Sequence, residues 1–523
     1  MKLSSFSARA LLLTGALSLA SVVLPPPVLS ATPQQSTTRK PTRPRKKTPV
    51  KRAPAKPAMR YTTPRGAAAL SSDLGAILGS RTRGGSWGAM VISLTRGDTL
   101  FEANPDKPYV PASTMKLFTT ALALERLGAE HTFSTDVLRD GLMDKDGVVH
   151  GNLIIRGDGD PALSPRFVRG GPSAPMDMLA QLTSSAGVTR VTGDLIADAS
   201  AFESRNIPEG WLTRYAGAAY AAPFSALSLN ENIVIVSITP GGTGSAAVVA
   251  LEPATRGMTV TNTVRTVAGS GVRVSSRRVS DDRVIVSGTI GSKAGQRRYQ
   301  LVVGDPVTFT AGAYRAALEA KGITIAGTIR VGPTTPQATV VSSMPSPPLS
   351  RLVSLMNRES INHYAEMLWR DAARGPARTL VGSAQTADST LQQFLTRQVG
   401  IQPGAVVATD GSGLSVLDRV TPRAMVQLLS HAHNAPWASA FHASLPVAGE
   451  SELLRHRMKS TPAQGNLHAK TGTTNAVIGL AGYVTAENGE ILAFSFLYNG
   501  TDRFGARETI DNMGPTMAGF SRD

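Results

Sequence analysis

Three short stretches, far apart in a chain of 523 residues, hold side chains whose types and spacing suit acyl transfer. The first is Pro111-Ala-Ser113-Thr-Met-Lys116, and of the thirteen lysines only Lys116 has a serine three positions before it. On a helix, residues three apart share a face, so the amine reaches the hydroxyl. A free serine is a weak nucleophile, and a lysine whose pKa is lowered by burial or positive neighbours can act as its base. A helix start at Ser113 also aims backbone N–H groups at any anion formed there. Taken alone, the pair fits an ordinary helix start equally well.

The second stretch is Ser360-Ile361-Asn362. Its hydroxyl can relay a proton, and its carboxamide offers a peptide both a donor and an acceptor. Ser228-Leu-Asn230 repeats the pattern inside an alternating β run, where a structural role is expected, so Ser360 is preferred. The third stretch, Lys470-Thr471-Gly472-Thr473, holds the only Lys-Thr-Gly of the chain and precedes an apolar strand, Val477 to Thr485. A cation and two hydroxyls suit a carboxylate, and the glycine admits a substrate backbone to the strand edge. The N–H of Thr473 would join that of Ser113 in meeting an oxyanion. The alternative for this tripeptide is an ordinary tight turn. His431-x-His433 lacks the further ligands a metal needs, and Gly157-Asp-Gly-Asp160 lacks the later carboxylates of a calcium loop. No metal or other cofactor is expected.

The elements that must position these residues read as follows. Trp87 to Glu102 patterns as a hairpin, and Ala112 to Leu127 as a helix with one buried face, closed by Gly128. Residues 132–340 are short Val/Ile/Thr runs between Gly-rich turns, a mainly β region expected to form two modules, the inner one at about 160–225. Helical texture returns at Leu349 to Asn357 and Ser360 to Ala373. A second hairpin, Val477 to Thr485 and Ile491 to Tyr498, lies near the end of the chain. Hairpins at both ends around helices predict one α+β domain assembled from 66–131 and 341–523 and interrupted by the β-rich insertion.

The net charge of +17 is concentrated in a tail. Residues 31–65 carry eleven Lys or Arg, seven prolines and no acid, and Lys2 and Arg9 precede them. Removing those thirteen cations from the total of 54 leaves 41 against 37 acidic residues, so a nucleic-acid partner is not expected. Lys2 and Arg9, the apolar run Ala10 to Leu24, three prolines and Ser30-Ala31 read as a signal peptide over 1–31, too short to span a bilayer. Export to the periplasm or cell wall follows. The linker 32–65 is expected to be extended, either a plain spacer or a weak electrostatic contact with the wall or membrane surface. With no cysteine, the chain has neither disulfides nor thiol chemistry.

Ser-x-x-Lys, then Ser-x-Asn, then Lys-Thr-Gly is the motif order of penicillin-binding proteins and serine β-lactamases. The chain resembles the low-molecular-mass class C penicillin-binding proteins, the D-alanyl-D-alanine carboxypeptidase/endopeptidase family. The likeness includes Gly159-Asp-Pro161, Ala197-Asp-Ala-Ser-Ala-Phe202, Asp410-Gly-Ser-Gly-Leu-Ser415 and Ser444-Leu-Pro-Val-Ala-Gly449. It implies a β-lactamase-like transpeptidase domain, an antiparallel sheet with helices, carrying an insertion between its first two motifs. It further implies that Ser113 attacks a D-Ala-D-Ala carbonyl of a peptidoglycan stem peptide, with Lys116 taking its proton. Ser360 and Asn362 would pass that proton on, Lys470, Thr471 and Thr473 would hold the terminal carboxylate, and β-lactam antibiotics would acylate Ser113. Asp198, on the insertion, would face the site and meet the free amine of the stem peptide. The rivals are a β-lactamase-like hydrolase and a non-catalytic wall-binding protein. A class A β-lactamase would need a Glu-x-x-Leu-Asn after Ser360, which is absent, and a class C β-lactamase would have tyrosine at position 360.

Overall fold

The computed structural model describes residues 61–80, 82 and 84–523; the expected signal peptide, and the linker up to residue 60, lie outside the described residues. At its centre is a five-stranded antiparallel sheet in the order Thr99–Ala103, Ser86–Ser93, Ile491–Asn499, Val477–Thr485, His468–Thr473. The two strands from residues 477–499 are apolar at nearly every position because both of their faces are covered. Helices Ala67–Gly79 and Arg503–Ala518 bury Leu70, Leu74, Ile510 and Met513 against Val91, Phe494 and Phe496 on one face. The other face presents small side chains, among them Ala481 and Ala493, which lets helix Pro422–Asn434 lie against it.

Beyond that helix, Lys116–Leu127, Leu349–Glu359 and Asn362–Arg374 pack around Phe118, Met356, Leu368 and Trp369. Leu349, Leu352, Val353 and Met356 follow the spacing that puts one stripe of a helix into a core.

Residues 134–345 build separate sheets. A five-stranded sheet runs Ile329–Val331, Leu195–Asp198, Leu153–Gly157, Ser134–Arg139, Thr339–Pro345, and two three-stranded sheets are made from 233–302. The stretch 160–225, expected as an inner module, contributes no sheet of its own. Its strands Arg190–Val191 and Leu195–Asp198 are laid parallel to Val148–His150 and Leu153–Gly157. Strands of two and four residues are too short to stand alone, so each is laid between strands on either side of it. The region also holds two helices, Ala174–Ser185 and Pro306–Ala320, the second capped by the Asp305 carboxylate accepting from Val307 and Thr308 N–H. Among the described residues no helix is long and apolar enough to cross a membrane.

Candidate active site

Ser113 lies in a turn of 3₁₀ helix, Ala112–Met115, that runs straight into helix Lys116–Leu127. Lys116 is fully buried, with Nζ 3.1 Å from Ser113 Oγ, 2.6 Å from Asn362 Oδ1 and 2.7 Å from the carbonyl oxygen of Ser412. A neutral amine in this position has two N–H groups for the carboxamide and the carbonyl, and a lone pair left for the serine hydroxyl. Burial pulls the Lys116 pKa down from 10.5 to about 8, while the charges of Asp410, Glu366 and Asp418 hold it from falling further.

Ser360 occupies the left-handed region, φ 60°, between helices Leu349–Glu359 and Asn362–Arg374. That turn brings Ser360 and Asn362 to the same cavity although they are only two residues apart. Asn362 also donates through Nδ2 to the carbonyl of Tyr220 at 2.8 Å.

Lys470-Thr471-Gly472, expected just before the strand Val477 to Thr485 with an ordinary tight turn as the alternative, lies on the edge strand His468–Thr473. Gly472 permits this strand to lie against the helix start: a β-carbon there would sit 2.7 Å from the carbonyl oxygen of Pro111. Lys470 is fully buried and donates to Ser360 Oγ and to its own neighbour's carbonyl, Thr471 O, each at 2.9 Å. Its pKa is driven well below the ordinary lysine value by burial and then by the charge of Lys116.

Ser113, Ser360, Asn362 and Thr473 line a common cavity of about 320 Å³. Lys470 and Thr471 lie beneath its wall rather than on it. Asp198 is elsewhere. Its carboxylate accepts from Thr334 N–H at 2.7 Å, from the Thr334 hydroxyl and from Ser200 N–H at 2.9 Å, and it lines a different cavity with Arg156, Arg374 and Arg378. The ladder to Leu153–Gly157 and Ile329–Val331 fixes the end of its strand there, so it is not brought to Ser113. Ser228 and Asn230, the repeated pattern, bond to local carbonyls, Ser225 O and Pro172 O, as structural residues do.

Several groups at the site were not foreseen. The Asp410 carboxylate gathers the N–H groups of Ser412, Gly413 and Ser415 and so presents the Ser412 carbonyl to Lys116. Trp211, from the insertion, donates Nε1–H to the same carboxylate at 2.7 Å. Tyr215 and Tyr220, ring centroids 5.8 Å apart, and Arg503 complete the cavity wall. The Asp-Gly-Ser-Gly run pointed to a structural turn near the site but not to its contact with Lys116, and the aromatic residues have no spacing that marks them. Among the described residues no three His, Cys, Asp or Glu side chains are grouped to hold a metal ion.

Residues 70–518 match the D-Ala-D-Ala carboxypeptidase 3 (S13) family. The chain belongs to this family. It is accordingly a penicillin-binding-type enzyme of the D-Ala-D-Ala carboxypeptidase class. It is 34% identical over 451 residues to the D-alanyl-D-alanine carboxypeptidase of Actinomadura sp. (strain R39), covering 82% of this chain and 81% of that one. It is 26% identical over 426 residues to the carboxypeptidase DacB of Haemophilus influenzae, covering 80% and 86%. The fold is that of penicillin-binding protein 4 from Haemophilus influenzae, with a TM-score of 0.73 at 22% identity over 85% of this chain and 99% of the other.

Proposed function

We propose that this carboxypeptidase works through an acyl-enzyme on Ser113, on D-Ala-D-Ala stem peptides of peptidoglycan and as carboxypeptidase or endopeptidase. The observation that carries the reading is the buried Lys116 amine, 3.1 Å from Ser113 Oγ and with a pKa pulled to about 8. Neutral Lys116 takes the hydroxyl proton as Oγ bonds to the carbonyl carbon of the penultimate D-alanine. The N–H groups of Ser113 and Thr473 meet the oxyanion. The C–N bond then breaks, and the proton held by Lys116 passes by way of Ser360, with Asn362 aligning the substrate, to the departing amine of D-alanine. Water attacks the ester and frees Ser113. Lys470 acts from beneath by orienting Ser360, while Thr473 contacts the substrate from the cavity wall.

β-Lactams, whose reactive amide imitates the scissile one, acylate the same serine; a relative of this fold, penicillin-binding protein 4 of Haemophilus influenzae, has been solved with a β-lactam. The enzyme is exported by its first 31 residues to the periplasm or wall, and the basic linker 32–65 leans weakly on anionic wall or membrane surfaces.

The test is to incubate the purified protein with a pentapeptide ending in D-Ala-D-Ala and with a cross-linked muropeptide, and to locate a labelled penicillin by mass. Release of D-alanine, or cleavage of the cross-link, together with an adduct on Ser113 is expected. Neither product, with no adduct, would overturn the assignment.

A further inference from the structure

We propose that Arg503 binds the free terminal carboxylate of the substrate and so sets the preference for peptides with an unblocked C-terminus. The inference rests on the acyl-transfer reading above. In a D-Ala-D-Ala peptide the carboxylate belongs to the residue next to the attacked carbonyl, one Cα–Cα step of about 3.8 Å along the chain. It therefore lies in the cavity that holds Ser113.

An anion in a confined cavity needs a positive partner that reaches it. The motif lysines do not. Lys470 is fully buried and spends its donors on Ser360 Oγ and Thr471 O, and Lys116 spends its own on Asn362 Oδ1 and Ser412 O beside Ser113. Neither side chain lines the cavity. Burial also draws the Lys470 pKa well down, which takes positive charge away from this wall.

Arg503 lines the cavity next to Thr473, Thr474 and Asn475, the end of the edge strand along which the substrate's C-terminus must lie. It opens helix Arg503–Ala518, is half-buried, and reaches the Asn475 carboxamide oxygen at 3.5 Å. The carboxylate of its neighbour Asp502 is turned to the helix start, where it accepts from Gly505 N–H at 3.0 Å. A guanidinium stays charged at any working pH and offers a planar pair of donors matched to a carboxylate. Arg214 lies over the Tyr215 ring at 5.4 Å and is not part of the cavity wall. The tyrosine side is thus left to the acyl part of the peptide, and the charge at the Arg503 end gives the bound peptide its direction.

Benzylpenicillin and its methyl ester share the reacting ring and differ in one carboxylate, which makes the pair a probe of this contact. Second-order rate constants for acylation of Ser113 are to be measured on the full protein and on Arg503→Ala and Arg503→Lys. The acid-to-ester rate ratio is expected to fall roughly tenfold to hundredfold in Arg503→Ala, the loss of one charge-assisted contact, with part of it regained in Arg503→Lys. KM for D-alanine release should rise in parallel. A ratio equal to that of the unaltered protein would overturn the inference, and so would an equal loss toward both reagents, which marks a merely structural residue. If the unaltered protein is acylated by neither reagent, the acyl-transfer reading fails first and this inference falls with it.

Discussion

Replacing Asn362 by Asp tests the proton chemistry with almost no change of shape. Asn362 Oδ1 sits 2.6 Å from Lys116 Nζ, and both residues are buried. The substitution puts a full negative charge at that distance, which raises a lysine pKa by roughly 1 to 3 units. Attack requires the neutral amine. With the pKa at about 8, roughly one-tenth of Lys116 is neutral at neutral pH. In the variant that fraction drops to between roughly one-hundredth and one ten-thousandth, so acylation at neutral pH slows about tenfold to a thousandfold. The loss should be regained as pH rises, because the rate-limiting ionisation has moved toward alkali by the same 1 to 3 units, by the estimate just used. Aspartate also lacks the N–H that Asn362 gives to Tyr220 O at 2.8 Å. That deficit is independent of pH and lowers the plateau without moving the midpoint. The assay is the second-order rate constant for acylation by a fluorescent penicillin across the alkaline limb, with the adduct on Ser113 verified by mass. A midpoint that stays where it is in the unaltered protein would refute Lys116 as the base.

Ser113→Ala should abolish the penicillin adduct and D-alanine release while leaving the melting temperature within a few degrees, as scanning calorimetry and intact mass will show. Gly472→Ala places a β-carbon 2.7 Å from Pro111 O and 3.2 Å from Thr114 Cγ2, so the edge strand must move off the helix start. A fall of about tenfold or more in kcat/KM is expected, since an ångström-scale misplacement of this kind is costly to acyl transfer; unchanged kinetics would show that the close approach is dispensable. Trp211→Phe removes the Nε1–H donated to the buried Asp410 carboxylate and should cost about 1 to 3 kcal/mol in denaturant unfolding. Deleting residues 32–60, which spares the Pro64 and Arg65 contacts with Ser521 and Glu487, should abolish salt-sensitive binding to anionic vesicles or wall fragments without altering turnover, read by co-sedimentation at two ionic strengths.

The three motifs were legible because each joins unlike side chains at a short spacing, and their order along the chain resembles one family. The second hairpin was legible for a related reason: its strands are covered on both faces and so read as nearly unbroken apolar runs. What escaped notice depends on contacts remote in sequence. Lys470 reads as a cation for the substrate carboxylate, yet a glycine and a strand ladder carry it beneath Ser360, 110 positions away. Asp198 reads as a site residue because of the run around it, yet Thr334, 136 positions on, claims its carboxylate. Arg503 and Tyr220 belong to no pattern at all, since only the closed cavity gives them a role. The helix Pro306–Ala320 did have a signal, Asp305 followed by Pro306, and the strand-rich texture around it concealed that signal.

The central sheet has a consequence for how the enzyme comes into being. Its middle strand, Ile491–Asn499, pairs on one side with Ser86–Ser93 and on the other with Val477–Thr485, so the first hairpin keeps one edge of Ser86–Ser93 open until nearly the whole chain has been made. A ribosome-bound or truncated product that stops short of residue 468 therefore carries the reactive alcohol and its base without the strand that closes the pocket. Such pairing across some four hundred positions is slow to form. Until it forms, the polypeptide is a latent peptidase, silent toward both wall and antibiotic, and activity should appear in one step with the last strands rather than growing with chain length.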